Sequence, residues 1–409
     1  MGGADVVSGA GGPAAVDRYA AHASGGAERV IAGDTAIGGG PPRADPSVAA
    51  PLPRVDRRLL EAQAYGLGFD LVGVAPLGPV GTAPAFDRWL AQGYAGEMHY
   101  LGRGAEKRAD ARRPVPGTTT AIVVALDYGG REPDGPVARY ARGDDYHDVM
   151  LARLRRLHAW LDEQAGAPVA GKAYVDTGPL LERDLARRAG LGWFGKNTML
   201  IHPRRGSFFF LGAVLVAADV EASAPFEEDR CGSCTRCLDA CPTGALVGPR
   251  ELDATRCISY LTIELKEAIP EPLRARMGEL LYGCDVCQTC CPFNIKFAQE
   301  LKEPAFAPRE VLAGKDARQL ARDLLGMTQE ELSAAFKGSP MKRAKLRGLK
   351  RTAAVVLGNV GTAEDADVLT RALDDEEPLV REHAAWALRR LDVGRHGSPP
   401  LTGAGRRDP

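Results

Sequence analysis

The stretch Cys231-Gly-Ser-Cys234-Thr-Arg-Cys237-Leu-Asp-Ala-Cys241-Pro242 decides much of this fold, because its four cysteines have the spacing of an iron–sulfur motif. In such a motif the C-x2-C-x2-C run gives three thiolates to one 4Fe–4S cluster. The cysteine before the proline reaches across to a second cluster. The stretch therefore predicts that a second set of cysteine ligands lies elsewhere in the chain.

A second run, Cys284-x2-Cys287-x3-Cys291-Pro292, supplies that set, and Cys257 lies alone between the two runs. A 4Fe–4S cluster takes four thiolates, so these cysteines are enough for two complete clusters. The predicted ligands are Cys231, Cys234, Cys237 and Cys291 for the first cluster, and Cys241, Cys257, Cys284 and Cys287 for the second.

Other interpretations of the cysteines fit the pattern less well. Cys290 offers a second C-x2-C-x2-C register with Cys284 and Cys287, but Cys-Pro pairs end both runs, so we predict that Cys290 is a spare thiol. Zinc sites usually have two separated cysteine pairs and no Cys-Pro end. A disulfide framework is typical of short secreted chains, and this chain has 409 residues.

Composition indicates an ordinary globular protein. Of the residues 45% are hydrophobic and 26% are charged, and the formal net charge is −1. Such a balance creates no global field that attracts nucleic acid or membrane, so any such contact needs a local patch. No segment approaches the roughly 20 apolar residues of a membrane span, and no export signal is visible. We therefore expect a cytoplasmic protein with no membrane partner.

The pattern along the chain predicts an α+β fold with five segments. These are a Gly-, Ala- and Pro-rich disordered extension (1–50), an α/β domain (51–222), a ferredoxin-type double-cluster domain (223–300), a helical domain (301–393) and a flexible tail (394–409). In the helical domain, residues 349–360 align with 380–391 at an offset of 31 residues. Such a repeat is typical of HEAT-like helical hairpins, in which each copy buries a face of its neighbour.

Within 51–222, apolar strands alternate with amphipathic helices. Strands are predicted at 70–76, 121–128, 172–179 and 207–220, and helices at 57–69, 84–94, 148–164 and 180–190. In the third helix, Leu151, Leu154, Leu157 and Leu161 recur at three- and four-residue spacing, which predicts one buried stripe. We therefore expect a sheet covered by helices.

Four further motifs accompany the cysteines. They are RYARGDDYH (139–147), VDTGP (175–179), GWFGKNT (192–198) and GSFFFLG (206–212). Together with the two cysteine runs and the helical tail, they resemble the epoxyqueuosine reductase family, whose members use cobalamin to complete queuosine in tRNA. The resemblance covers roughly residues 52–393. It implies a nitroreductase-like cobalamin domain, an oxidoreductase activity, and two 4Fe–4S clusters that feed electrons to the cofactor.

The resemblance also implies roles for single residues. Asp176 in VDTGP matches the proposed proton donor of the family and lies at the cofactor. Base-off cob(II)alamin would contact stretches that contain Arg108, Arg139, Lys196, Asn197 and Ser207. The implied partners are tRNA with epoxyqueuosine at its anticodon and an external low-potential electron donor, and we expect a monomer.

The residues alone leave alternatives for each of these roles. Asp176 acts as an acid only if burial raises its pKa toward neutrality, and otherwise it caps the next helix or forms an Asx turn. Arg139 and Arg142 bind a phosphate, or they pair with the adjacent Asp144 and Asp145. His147 and His202 have the chemistry of cobalt ligands, although the resemblance implies cobalamin without a protein axial ligand.

A basic run is the visible candidate for tRNA contact. Residues 337–351 hold seven basic side chains and no acidic one, and such a run is either a phosphate-binding surface or an ordinary solvated helix face. Two other functions remain open at this point. One is a corrinoid reductive dehalogenase, and the other is a non-catalytic ferredoxin-like electron carrier.

Overall fold

The computed structural model describes residues 52–395, with side chains described as far as residue 392. The predicted extension (1–50) and most of the predicted tail therefore lie outside the described residues. The strands are β1 Arg54–Val55, β2 Leu71–Pro76, β3 Thr120–Asp127, β4 Gly171–Tyr174, β5 Trp193–Phe194, β6 Leu200–Ile201, β7 Phe209–Val216, β8 Asp219–Val220, β9 Leu246–Gly248 and β10 Glu251–Leu252.

Helices make up most of the remaining regular structure. They are α1 Arg57–Gly66, α2 Ala83–Ala91, α3 His99–Arg103, α4 Ala105–Arg108, α5 Tyr146–Ala165, α6 Glu182–Arg188, α7 Arg236–Ala240, α8 Ile258–Ile263, α9 Glu271–Arg274, α10 Val286–Thr289, α11 Pro292–Phe297, α12 Ala317–Gly326, α13 Gln329–Ala335, α14 Lys345–Val360, α15 Ala366–Arg371 and α16 Pro378–Arg395. In the described part of the chain no helix is long and apolar enough to cross a membrane.

The main sheet has four strands in the order β2-β3-β7-β4, and every neighbouring pair is antiparallel. Strands β3 and β4 run in the same direction, with α5 connecting them, and β7 fills the place between them in the opposite direction. The alternation of strands and helices predicted an α/β domain, but an antiparallel sheet makes the region α+β.

Both faces of this sheet are covered, as predicted. Alternate side chains of a strand point to opposite faces. Ile122, Val124 and Val214 pack toward α1 and α5, whereas Val123 and Leu215 pack toward α6. All eight residues of β3 are buried, which agrees with its continuous apolar sequence. Packing of this kind makes the sheet a rigid base for the loops at its edges.

Helix α5 carries the predicted stripe with one change. Met150, Leu154, Leu157 and Leu161 are fully buried, but Leu151 is only partly buried. Leu151 therefore lies at the edge of the stripe. The helix ends at Gly166, whose φ of 66° is the left-handed conformation that commonly terminates helices.

The cysteine-rich segment is built from short helices and loops, and it shares a hydrophobic core with the helices that follow. Leu261 and Leu281 belong to the same buried cluster as Leu324, Val355 and Ala387. The two segments at 349–360 and 380–391 lie in helices α14 and α16, which pack against each other. The cysteine loops are therefore held between the sheet region and the C-terminal helices.

Candidate functional site

Asp176 lies in the loop that connects strand β4 to helix α6. Its φ is 54°, a left-handed conformation that is uncommon for residues other than glycine. The following turn is equally constrained, because a Cβ on Gly178 would lie 2.4 Å from a ring carbon of Tyr174. Strained backbone of this kind persists only where surrounding structure holds it, and it often occurs at functional sites.

The first turn of helix α5 meets this carboxylate. The hydroxyl of Tyr146 donates a hydrogen bond to Oδ2 of Asp176 at 2.7 Å, and Nε2 of His147 lies 3.6 Å from the same oxygen. The other ring nitrogen of His147, Nδ1, lies 2.7 Å from Oδ1 of Asp145, which also caps the helix. These side chains form a continuous chain from Asp145 through His147 and Asp176 to Tyr146.

The chain of contacts fixes where protons reside. Burial lowers the pKa of His147, but hydrogen bonds and charges from Asp145 and Asp176 outweigh burial and raise it to about 9. Burial raises the pKa of Asp176, but the hydrogen bonds from His147 and Tyr146 outweigh burial and place it below its usual value. At neutral pH the imidazole therefore holds the proton and the carboxylate is ionised.

The structure bears on two of the alternatives for Asp176. Its pKa is lowered, not raised, because the donors on α5 stabilise the charged form more than burial destabilises it. It does not cap helix α6, whose N-cap residue is Leu181. The side chain lies among many protein atoms but is 66% exposed, which is the environment of a group that lines an open concave surface.

A second carboxyl group lies near Asp176. Burial and the charge of Asp176 raise the pKa of Glu182 to about 8, and its Oε1 is buried without a hydrogen-bond partner. Arg108 is close enough to act on this carboxyl, and its own hydrogen bond goes from Nη1 to the carbonyl of Leu101 at 3.2 Å. A buried oxygen without a partner is costly, so a ligand with N–H donors would satisfy it here.

The nine cysteines are all free thiols, and eight of them gather in the two predicted groups. Burial raises the pKa of Cys291, and its neighbours Cys231 and Cys234 raise it further. Burial also raises the pKa of Cys237, and the thiols of Cys231 and Cys291 raise it further. The predicted first set is therefore one cluster of neighbouring thiols.

The second set is assembled in the same manner. Burial raises the pKa of Cys284 to about 12, with further contributions from Cys257 and Cys241. Burial raises the pKa of Cys287, and the neighbouring thiols raise it further; these are Cys284, Cys257, Cys290 and Cys241. Cys257, distant in sequence from both runs, is thus brought to the second group by the start of helix α8.

The spare thiol, Cys290, lies between the groups. Burial raises its pKa to about 11, and Cys237, Cys291 and Cys234 of the first set raise it further. In the described residues no three His, Cys, Asp or Glu side chains come close enough to hold a single metal ion.

Residues of the GWFGKNT motif hold the first cysteine loop. Nζ of Lys196 donates to the carbonyls of Gly232 at 2.6 Å and Cys234 at 2.9 Å. Nε1 of Trp193 donates to Sγ of Cys231 at 3.4 Å, and its ring packs against Phe293. Hydrogen bonds to the sulfurs are one means by which proteins set cluster potentials.

Asn197 and Ser207 hold the second cysteine loop. Nδ2 of Asn197 donates to the carbonyl of Cys287 at 2.9 Å. Oγ of the buried Ser207 accepts hydrogen bonds from Gln288 at 3.1 Å and from Asn294 at 2.9 Å. Lys196, Asn197 and Ser207, which were predicted to contact the cofactor, thus lie where the sheet region meets both cysteine loops.

Arg139 lies at the same junction. It is buried, its Nη1 lies 3.3 Å from Oδ2 of Asp285, and its Nη2 donates to Asp134 at 3.0 Å. Arg142 donates to the carbonyls of Val137 and Pro133. The prediction that these arginines pair with the adjacent aspartates of their own loop is wrong, because each guanidinium turns inward.

His202, a candidate cobalt ligand, and Arg351, a candidate tRNA contact, are both engaged within the protein. His202 lies in a tight turn where its Nδ1 accepts a hydrogen bond from the backbone N–H of Arg204 at 3.2 Å, and burial lowers its pKa to about 4. Arg351, the last residue of the basic run, is 1% exposed and donates to the carbonyls of Leu265, Glu267 and Leu261. Arg351 is therefore a structural residue.

Comparison with known proteins gives these features a family. A sequence model described as "4Fe-4S double cluster binding domain" matches residues 230–294, and one described as "Epoxyqueuosine reductase QueG, DUF1730" matches residues 108–177. An epoxyqueuosine reductase of Pseudomonas aeruginosa is 40% identical over 335 residues, which cover 79% of this chain and 91% of the relative. This chain belongs to the epoxyqueuosine reductase family.

Further epoxyqueuosine reductases support the assignment. The Escherichia coli protein is 39% identical, over 79% of this chain and 86% of its own length. A crystal structure of an epoxyqueuosine reductase with an epoxyqueuosine-modified tRNA-Tyr stem loop is 32% identical and covers 82% of this chain and 90% of that chain, with a TM-score of 0.73. The structure of the Streptococcus thermophilus enzyme gives 26% identity and a TM-score of 0.71, and covers 85% of this chain and 95% of that chain.

These comparisons confirm the resemblance drawn from the motifs and the double-cluster domain drawn from the cysteines. They do not favour a reductive dehalogenase or a non-catalytic electron carrier. Sequence analysis did not single out three residues of the candidate site, Tyr146, Glu182 and Asp285, and it considered Asp145 only as a partner of the arginines. Tyr146 was visible only as the neighbour of His147, and Glu182 as the first residue of an amphipathic helix. Their roles depend on long-range contacts that no local pattern reveals.

Proposed function

We propose that this chain reduces the epoxide of epoxyqueuosine in tRNA to the alkene of queuosine. The observation that carries the proposal is Asp176, held in a left-handed backbone conformation between Tyr146 and His147 in a member of this family. The reaction consumes two electrons and two protons and releases the epoxide oxygen as water. The protein must therefore supply electrons singly at low potential and a proton at the departing oxygen.

The two cysteine groups support the electron supply. Cys231, Cys234, Cys237 and Cys291 would hold one 4Fe–4S cluster, and Cys241, Cys257, Cys284 and Cys287 the other. Lys196, Asn197 and Arg139 fix the cysteine loops against the sheet region through backbone carbonyls and Asp285. Rigid loops keep the two clusters at a constant separation, which one-electron transfer between them requires. An external low-potential donor would reload them.

Cobalamin, when bound, supplies a strongly reducing cobalt centre for the C–O cleavage. The residues around Asp176 fit such a group, because the corrin ring bears amide side chains. Glu182 offers an unpartnered buried oxygen to an amide N–H, and Arg108 has guanidinium N–H groups for an amide carbonyl. Ser207, Lys196 and Asn197 support the site from the side of the cluster loops.

Asp176 delivers protons in this scheme without storing them. His147 is protonated at neutral pH, and its Nε2 lies 3.6 Å from Oδ2 of Asp176. As negative charge develops on the departing oxygen, a proton passes from the imidazole through the carboxyl group to that oxygen. Asp145 then stabilises the orientation of His147 through Nδ1. Because the substrate is tRNA, the reaction takes place in the cytoplasm.

Complementation tests the proposal in cells. The chain is expressed in a bacterial strain that lacks its own epoxyqueuosine reductase, and nucleosides from its tRNA are analysed by mass spectrometry. The proposal expects queuosine with the unaltered chain and epoxyqueuosine with Asp176→Asn. Persistent epoxyqueuosine with the unaltered, iron-loaded chain would contradict it.

A further inference from the structure

A basic pocket opens beside Asp176. The cavity has a volume of about 490 Å³ and is lined by residues of helix α5, strand β4, the following loop and the segment before α14. Its charged and titratable lining groups are His147, Arg155, His158, Lys172 and Arg343, and none of its lining residues is acidic. A cavity of this size suits a ribose–phosphate unit.

Two basic side chains that line the pocket, Arg155 and Lys172, are not neutralised by carboxylates of the described residues. Arg155 and Lys172 are exposed, and neither forms an ion pair with a carboxylate of the described residues. Nζ of Lys172 lies 5.1 Å from the centre of the Tyr174 ring, which holds the ammonium group over the pocket side of the edge strand. Arg343, at the far wall, is held by Glu264 and lies 5.9 Å from the ring centre of Tyr100.

The pocket shares one residue with the reaction site. His147 lines it and also contacts Asp176, so the pocket begins one side chain away from the proton donor. Lys342 and Lys345, which are neighbours of Arg343 in sequence, are also exposed. An extended polyanion bound along these residues would place one of its charges in the pocket.

Resting on the proposed function, we propose that Arg155 and Lys172 bind a backbone phosphate of the tRNA next to the nucleotide that is reduced. A base reached by Asp176 must leave the stack of the anticodon loop, and RNA loops are recognised in this splayed form. A phosphate clamp at the mouth of the site would hold the backbone while the base enters. Free inorganic anions and the phosphate of the cobalamin tail share this chemistry, and the test separates them.

The test measures binding of an unmodified anticodon stem-loop by fluorescence anisotropy at several salt concentrations. The double variant Arg155→Ala/Lys172→Ala should weaken binding roughly tenfold, as expected for lost hydrogen bonds between charged groups. Because single-stranded phosphate contacts release counterions, the slope of log K against log salt should flatten by about 0.7 for the lost contact. Arg156→Ala, which removes an exposed charge from the next position of α5, is the control and should change neither quantity.

Three outcomes would overturn the inference. The first is unchanged affinity and slope for the double variant, and the second is an equal loss of affinity in Arg156→Ala. The third is loss of cobalamin from the double variant, seen as loss of its visible absorbance, which would assign the pocket to the cofactor tail. Failure of the proposed function is distinguishable, because binding of the unmodified stem-loop requires no reduction of the epoxide.

Discussion

The hydroxyl of Tyr146 donates a hydrogen bond to Oδ2 of Asp176 over 2.7 Å, which joins the first turn of helix α5 to the loop after strand β4. The two residues are 30 positions apart. Together with His147, Tyr146 surrounds one carboxylate oxygen with donors, and these hydrogen bonds outweigh the effect of the surrounding protein atoms and keep the pKa of Asp176 below its usual value. In the proposed reaction the proton that reaches the substrate therefore begins elsewhere, and His147, whose pKa is raised to about 9, is the group assigned to hold it.

Asp176→Asn removes the carboxyl group that passes the proton. Loss of general acid catalysis typically costs roughly 10²- to 10⁴-fold, so we expect a fall of this size in single-turnover reduction of epoxyqueuosine-tRNA. Iron content and melting temperature should stay near those of the unaltered protein, because the side chain is 66% exposed. Asp148→Asn, at another exposed aspartate on α5, is the matched control and should retain full turnover.

His147 links stability to pH. Its pKa is raised from 6.5 to about 9, so its favourable interactions with Asp145 and Asp176 are fully present below pH 6.5 and are lost as the pH rises through 9. His147→Gln should lower the free energy of unfolding by about 1 kcal/mol at pH 6, the size of a partly exposed ion pair, and by much less at pH 10. Melting curves at the two pH values check this. An equal effect at both would contradict the assigned proton.

The cysteine assignment predicts a contrast between two thiols. Cys257→Ala should lose about half of the bound iron, because one of two clusters loses a ligand. Cys290→Ala should keep all of it, although this thiol lies beside the first set. Iron analysis after anaerobic reconstitution distinguishes the two variants. Full iron in Cys257→Ala, or half in Cys290→Ala, would require a different division of the ligands.

Trp193 predicts a change in redox potential. Its Nε1 donates to Sγ of Cys231, and hydrogen bonds to cluster sulfurs stabilise the reduced, more negative state. Trp193→Phe keeps an aromatic ring against Phe293 but removes the donor, so the potential of this cluster should become more negative. An anaerobic titration followed by electron paramagnetic resonance measures it. Trp160→Phe on α5 is the control, and equal potentials in all three proteins would refute the role.

Arg351 is expected to matter for stability. Its guanidinium donates to three main-chain carbonyls and is 1% exposed, so Arg351→Met leaves three buried acceptors without a donor. We expect a loss of about 3 kcal/mol in the free energy of unfolding. Lys345→Met, at an exposed position of the same basic run, should have little effect on stability. Similar small losses in both variants would mean that Arg351 is not a structural anchor.

The double-cluster domain, the strands of the main sheet and the family could be predicted because each leaves a local pattern in the sequence, whereas the division of the cysteines between the two clusters stays a prediction. Cys231, Cys234 and Cys237 lie on one short loop, and the apolar run of β3 has no other stable place than a buried strand. The order and relative direction of the strands could not be predicted from the sequence. Strand β7 fills the gap between β3 and β4 from a distance in sequence, and no local pattern specifies that pairing.

The electrostatics of the site were also beyond local patterns. The condition set for acid catalysis by Asp176, a pKa raised by burial, considered its own segment alone, whereas the donors that lower its pKa come from α5. Likewise the basic run 337–351 was uniform in sequence, but helix α14 turns Arg351 into the core and leaves Lys345 exposed, as is Lys342 in the turn before the helix. Charge alone does not tell which face of a helix a side chain occupies.

The central claim is that electrons stored by the cysteine-held clusters reduce the epoxide on tRNA. The most direct measurement uses anaerobically purified chain with cobalamin, a low-potential reductant and epoxyqueuosine-tRNA, followed by mass analysis of the nucleosides. The account predicts queuosine, with loss of one oxygen atom, and no product when cobalamin or the reductant is omitted. Unchanged epoxyqueuosine with fully loaded protein, or turnover of small organohalides in its place, would contradict it.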